Sequence, residues 1–326
     1  MPVIDFHNHF YPPEYLEAIQ SGPSNVKVTH DEDGNPLVHY PGDYNILVPG
    51  HRDIAYRAGI LARAGVTRQI LSFTTPGVHV ESPERSVELA RLVNNSLAAI
   101  VRERGEQFSA LATLPLNAPD ASLEELERVF DELGFRGVML FSNINGVPLS
   151  DRRFWPLYEY ANQRNAVFYI HPSFPVGVEA MTDYWLTPLL GFTFDTTLAA
   201  AKLVFSGVAE RFPGIQWVLC HLGGTIPYLA ERLDRGYFAF KECREHINKP
   251  PSEYLKRFYY DTVNFDPDAV RLAIRFAGTD HLLAGSDYPH QIGSLKRMVS
   301  TIEIVDLPAE AKSGIMGGNA ARLLGL

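Results

Sequence analysis

Eight strand-like segments with helical patterns between most of them predict an α/β protein, a (β/α)8 TIM barrel. Three observations carry this expectation. Runs rich in β-branched and aromatic residues recur along the chain, amphipathic stretches separate them, and polar residues suited to metal binding fall at the C-terminal ends of several runs. At 326 residues the chain is long enough for one such barrel, taken as a single domain over 1–326. A doubly wound open sheet is the alternative, but no Gly-x-Gly-x-x-Gly opens a helix after the first strand.

The expected strands are 3–9, 66–73, 108–114, 136–141, 166–171, 215–221, 258–263 and 281–287. Apolar residues at three- and four-residue spacing predict helices over 54–64, 83–104, 123–133, 153–164, 196–212 and 267–277. The stretch 309–324 reads as a closing helix interrupted around Gly317-Gly318. Two connections exceed simple turns. The segment of about 11–52 reads as an inserted hairpin or small subdomain after strand one, and 172–195 follows strand five. Both leave from the strand ends where barrel sites form, so they are expected walls or lids.

Composition narrows the function classes. A hydrophobic fraction of 46% and a charged fraction of 21% describe a globular chain with material for a core. The net charge of −9, with scattered basic residues, argues against a nucleic-acid surface. Cys220 and Cys243 make no disulfide framework and fit a reduced compartment. The chain enters a strand without a basic leader, and no run of eighteen apolar residues is read in it, so no membrane partner and a cytoplasmic location are expected.

Chemistry starts in Val3-Ile4-Asp5-Phe6-His7-Asn8-His9-Phe10. Side chains two apart on a strand share a face, so His7 and His9 converge on one point, which suits a divalent metal. A solvated strand face gives the same spacing. The other candidates are His171, His221 and Asp287, at the ends of strands five, six and eight. Singly, His171 could merely end a strand, His221 occupy a turn and Asp287 cap a helix. Jointly they mark one barrel mouth. Closure sets strand eight beside strand one, so Asp287 joins the His7/His9 pair with His171 across the barrel. Such a set suits one divalent ion, zinc by preference with manganese or iron as alternatives, with room for water.

Several motifs then carry a resemblance over nearly the whole chain. They are His7-x-His9, Tyr169-Ile170-His171-Pro172, Cys220-His221-Leu222-Gly223-Gly224, Gly285-Ser286-Asp287-Tyr288-Pro289 and Gly318-Asn319-Ala320-Ala321-Arg322-Leu323-Leu324. Together they resemble the amidohydrolase superfamily, in the branch of aminocarboxymuconate semialdehyde decarboxylase and related aromatic acid decarboxylases. The resemblance implies His7, His9, His171 and Asp287 as metal ligands, with His221 as acid/base. Its hydrolytic members often hold two metals through a lysine at strand four, but 137–143 here has none, so one metal is expected. Keeping His7 rather than glutamate matches the aminocarboxymuconate enzyme. That enzyme's carboxylate-binding arginine has no counterpart in 38–44, and a second, from a neighbouring subunit, is not matched near 237–244. A homodimer is implied.

The expected function is therefore non-oxidative decarboxylation of a small aromatic or unsaturated carboxylic acid, with His221 and Asp287 catalytic. Trp185, Asn143, Phe192, Tyr288 and His290 are the expected substrate contacts, Trp185 matching a pocket tryptophan of the family. Hydrolysis of an amide, lactone or ester is the alternative, needing no different ligands. A structural zinc site in a binding protein is a third, disfavoured by a histidine-rich cluster at a barrel mouth.

Overall fold

In the computed structural model, which describes residues 2–40 and 43–326, the eight barrel strands run parallel. They are β1 (Ile4–Asp5), β2 (Arg68–Leu71), β3 (Phe108–Ala110), β4 (Gly137–Phe141), β5 (Val167–His171), β6 (Gln216–Leu219), β7 (Tyr259–Asp261) and β8 (Leu282–Leu283). Their pairing gives the orders β1-β2-β3 and β4-β5-β6-β7-β8. Two seams close the barrel. Ala112 N donates to Gly137 O at 3.0 Å, and Phe6 N donates to Ala284 O at 2.8 Å. Every residue of β4 and β5 is buried, as continuous apolar runs covered on both faces should be.

Helices alternate with the strands: α1 (Ile54–Ala64), α2 (Pro83–Arg104), α3 (Pro119–Asp131), α4 (Trp155–Gln163), α5 (Phe192–Phe205), α6 (Ile226–Ala239), α7 (Pro267–Ala277) and α8 (Leu295–Ile304). Local chemistry sets their starts. Asp53 accepts from Ala55 N and Tyr56 N, and Asp266 from Asp268 N and Ala269 N. α3 begins four residues before its expected start because Pro119 presets the first turn. The helix expected over 196–212 breaks at Gly207, whose φ of +81° and closeness to the His246 carbonyl exclude a side chain. α6 and α8 were not expected from the sequence. The closing helix is interrupted as expected, with a wider turn over Gly314–Gly318.

The two long connections flank the mouth. After β1 come a helix, Pro13–Ser21, and a three-stranded antiparallel sheet of Lys27–His30, Pro36–Tyr40 and Asp43–Ile46. Pro41 and Gly42, inside the segment expected to be inserted, lie outside the described residues. After β5, short turns lead into α5. The helical run Asp183–Phe205 is long enough, and on average apolar enough, to cross a bilayer, but Thr193, Asp195, Thr196 and Lys202 interrupt it, in keeping with the expectation of no eighteen-residue apolar run. Here it lies on the barrel, with Ala199, Ala200, Leu203 and Val204 buried.

Candidate metal centre and pocket

His7 and His9 follow β1, His171 ends β5, Asp261 ends β7, and His221 and Asp287 follow β6 and β8. All face the mouth. His7 Nε2 lies 3.1 Å from His9 Nε2, and Asp287 Oδ1 lies 3.0 Å from His9 Nε2 and 3.4 Å from His7 Nε2. His7, His171 and His221 form an overlapping group whose nitrogens lie within 4.8 Å of one another. His221 and Asp287 sit at φ values of +51° and +57°, a costly backbone for residues with side chains, and that backbone aims both into the cluster.

The surrounding hydrogen bonds orient the rings. His7 Nδ1 donates to Asp261 Oδ2 at 2.6 Å, which leaves Nε2 facing the cluster. His171 Nδ1 donates to Pro172 O at 2.8 Å, with the same result. Asp261 also accepts from Tyr169 Oη at 3.0 Å and Val263 N at 2.9 Å. Asp5 ties the base of β1 to the turn after β8, accepting from Ser286 N at 3.0 Å and Ser286 Oγ at 2.6 Å. Arg57, fully buried, donates to Gly50 O at 2.9 Å, Asn8 Oδ1 at 2.8 Å and Gln69 Oε1 at 2.9 Å, and to the carbonyl of His9. It ties the His9 carbonyl and the Asn8 side chain to the Gly50 carbonyl and Gln69, and so fixes the segment that carries the histidine pair. Sequence reading missed both Asp261 and Arg57. Asp261 carried the same signal as the others, a polar residue closing an apolar strand; a lone arginine on an amphipathic helix carried none.

Electrostatics set the protonation of the cluster. Burial holds the His9 and His171 imidazoliums well below the usual range, and neighbouring histidine charge adds to it. His221 is partly open to the pocket, yet desolvation by its close surroundings pushes it down to about 4. Burial would raise Asp287, but hydrogen bonds from His7 and His9 outweigh it and keep the carboxyl well below its usual value. Burial would also lower His7, yet Asp261 and Asp287 hold it up at about 10. Two carboxylates thus retain one positive charge among neutral imidazoles, which is the demand a divalent cation meets.

Ligand spacing agrees with that demand. Donor atoms about 2.1 Å from one ion are separated by about 3.0 Å at right angles and about 3.4 Å at the tetrahedral angle. The His7, His9 and Asp287 separations fall on those two values. The residues present fit a metal.

The cluster forms the floor of a cavity of about 310 Å³. Trp185, Phe192 and His290 line it, as the sequence led us to expect. His290 stacks 4.6 Å from His9 and 5.0 Å from His51. Asn143 and Tyr288 are not among the liners. Asn143 donates to Phe174 O and Asp195 Oδ2 at 3.0 and 3.1 Å and accepts from Gly146 N, so its amide is committed to loop structure. Tyr288 turns away to pack on the Arg57 guanidinium, 5.0 Å from its ring centroid, because Gly50 leaves room there. Tyr40, Asp43, Tyr44, Asn45, His51 and Thr75 form the outer wall; all but Thr75 lie in the 11–52 segment expected to wall or cover the mouth, though none was singled out as a contact.

Comparison with known proteins places these features in a family. Residues 4–326 match the family Amidohydrolase. A 2-amino-3-carboxymuconate-6-semialdehyde decarboxylase from Dictyostelium discoideum is 32% identical over 269 residues, 82% of this chain and 75% of the relative. A 6-methylsalicylic acid decarboxylase from Penicillium expansum is 29% identical over 329 residues, 99% of this chain and 96% of the relative. Among solved structures, 5-carboxyvanillate decarboxylase from Sphingomonas paucimobilis superposes with a TM-score of 0.88 at 26% identity, covering 100% of this chain and 99% of that one. A dihydroxybenzoic acid decarboxylase from Polaromonas, solved with bound manganese and 2-nitroresorcinol, gives 0.83 at 26% identity, covering 99% and 96%.

Proposed function

From the premise that this chain belongs to the amidohydrolase family, we propose that it is a metal-dependent carboxy-lyase releasing carbon dioxide from a small aromatic carboxylic acid. The observation that carries this is the cluster of His7, His9 and Asp287 at coordination spacing on the floor of an aromatic-walled cavity. The acids named for its relatives range from one carboxyl group, in 6-methylsalicylic acid, to two, in 5-carboxyvanillate.

His7, His9, His171 and Asp287 hold the ion, which we assign as zinc, with manganese or iron as the alternatives. When bound, it supplies positive charge that fixes the substrate carboxylate or an adjacent hydroxyl and stabilises developing negative charge. His221 faces the same space and positions the reacting group by hydrogen bonding, since its imidazole is neutral near pH 7. Asp287, an ionised carboxylate, accepts a proton from the substrate hydroxyl or from solvent by way of His221, and delivers it to the ring carbon that bears the carboxylate. The bond from that carbon to the carboxylate then breaks, its electron pair restores the ring, and carbon dioxide leaves. Trp185 and Phe192 hold the planar ring between them and exclude water.

We also propose a homodimer in the cytoplasm. Phe194, Leu198, Tyr228, Phe238 and Phe240 are exposed on α5, on α6 and just beyond it, and Thr197 Oγ1 joins these two elements to each other through Thr225 Oγ1 at 3.0 Å. A second copy covering that aromatic face would adjoin the pocket wall at Leu189.

Incubation of metal-loaded protein with salicylates, dihydroxybenzoates and muconate semialdehydes, with trapping of released carbon dioxide, tests the activity. Release from at least one acid, abolished by a chelator and restored by metal, is expected. Hydrolysis of an amide, lactone or ester without carbon dioxide release would sink the decarboxylase reading and establish the hydrolytic one.

A further inference from the structure

The outer wall of the cavity differs in charge from its floor. Among the described residues, no lysine or arginine lines the cavity. The two arginines nearest along the chain are spent elsewhere: Arg52 Nε donates to Leu47 O at 3.1 Å, and Arg57 is engaged beneath the histidine pair. Among the described residues, the one charged group in the outer wall is a carboxylate, Asp43.

The Asn45 and Tyr40 donors in that wall are already used by the protein. Asn45 Nδ2 donates to Tyr11 Oη at 2.5 Å and to Thr75 O at 3.0 Å. Tyr40 Oη donates toward Asp43 Oδ2 at 3.2 Å. Asp43 Oδ1 accepts only the adjacent Tyr44 N, at 2.7 Å. Asn45 Oδ1 accepts only the Tyr40 hydroxyl, at 3.4 Å, so acceptor capacity on Asp43 and Asn45 remains for a guest, while the donors left in the wall, such as a His51 N–H, are neutral and none is a cation. Gln291 at the rim is neutral, and burial keeps His51 neutral as well.

We propose that this pocket selects acids carrying a single carboxylate: the floor takes that group, while Asp43 and Asn45 receive an uncharged hydroxyl or methyl edge and reject a second carboxylate. The proposal rests on the decarboxylase reading only for which end of the acid meets the floor. Physically, a second carboxylate would lie within several ångströms of Asp43 with no cation of the wall to offset it. A like-charge contact of that kind in a partly buried site weakens binding by about 100-fold. A hydroxyl at the same place donates to an acceptor already waiting.

The test uses metal-loaded full-length protein and two readouts, calorimetric binding and carbon dioxide release. The probes are 2-hydroxybenzoate, its methyl and hydroxy derivatives, and hydroxybenzene dicarboxylates with the second carboxylate at each remaining ring position. Single-carboxylate acids are expected to bind about 100-fold more tightly than their dicarboxylate counterparts. Asp43→Asn and Asp43→Ser should each narrow that ratio to about tenfold, because each removes the charge and leaves the rest of the wall. Dicarboxylates that bind as well as or better than single-carboxylate acids would overturn the proposal, as would a preference unchanged in both variants. If no acid releases carbon dioxide while the binding preference holds, the decarboxylase reading fails and the selectivity stands. Carbon dioxide release without any preference gives the reverse result.

Discussion

The floor and the outer wall of one cavity are built by opposite rules. The floor hangs on barrel strands: His7, His9 and Asp261 are fully buried, their rings and carboxylates are tied by hydrogen bonds, and a buried arginine clamps the backbone beside them. The wall hangs on connections: Trp185 is 50% exposed, Asp43 begins a short strand of a small sheet, and the segment 174–191 contains only brief turns. A rigid floor suits a reaction whose groups must not move, and a wall on loops lets related chains change substrate at little cost to the fold. Chemistry should therefore be lost by changing the floor, and selectivity by changing the wall.

The largest expected effect comes from the floor. Asp287→Asn keeps shape but removes the charge that faces both histidines, so kcat/KM should fall by about 1,000-fold or more, with metal content falling in parallel. Steady-state kinetics with metal analysis checks this; a loss under tenfold with full metal would place the chemistry elsewhere. Arg57→Leu comes next, because it strands several carbonyl and amide acceptors that have no water to turn to. Unfolding free energy should drop by about 3 to 5 kcal/mol in chemical denaturation, and Arg57→Lys should recover little of it, since an ammonium cannot reach every acceptor of a planar fork.

The same division governs what the sequence disclosed. All eight barrel strands were legible, because buried parallel strands read as apolar runs, and α1, α2 and α7 began and ended where their caps and periodicity put them. Histidines and the aspartate at strand ends were legible too, since strand position alone decides where they point. α6 was not, because its exposed Tyr228 and Phe238 and its internal Gly236 blur the stripe that marks a helix. The wall was legible as segments, 11–52 and 172–195, but only in part as individual side chains. Whether Asn143 or Asn45 reaches the cavity depends on how two loops fold over it, and Asn143 is drawn off by Asp195 and the Phe174 carbonyl.

A third prediction turns on pH and on the packing beneath both regions. His79 is buried in the connection after β2, 4.9 Å from the Phe141 ring, and burial lowers its pKa to about 4. The unfolded chain protonates this residue near 6.5, before the folded chain does, so it binds more protons when unfolded and stability falls with pH. From about pH 6.5 down to 4 the loss from this residue should reach about 3 kcal/mol, and above pH 7 it should vanish. His79→Gln should flatten that leg of the stability profile relative to the parent, measured by denaturation at pH 4.5 and 7.5. Equal slopes in parent and variant would show that the imidazole ionises without cost, and the packing around Phe141 would then be less dry than its burial implies.

The smallest effect belongs to the wall. Trp185 meets Tyr44 edge-on at 5.3 Å and lines the cavity, yet half of it faces solvent. Removing it costs little packing, so Trp185→Ala should leave the melting temperature within about 2 °C of the parent. What it removes is a flat apolar face that grips ground state and transition state alike. KM should then rise about tenfold while kcat changes by less than about threefold, the pattern of uniform binding lost. A kcat loss as large as that of Asp287→Asn would erase the distinction between wall and floor, because it would mean that the aromatic face orients the carboxylate during the reaction rather than merely retaining the ring.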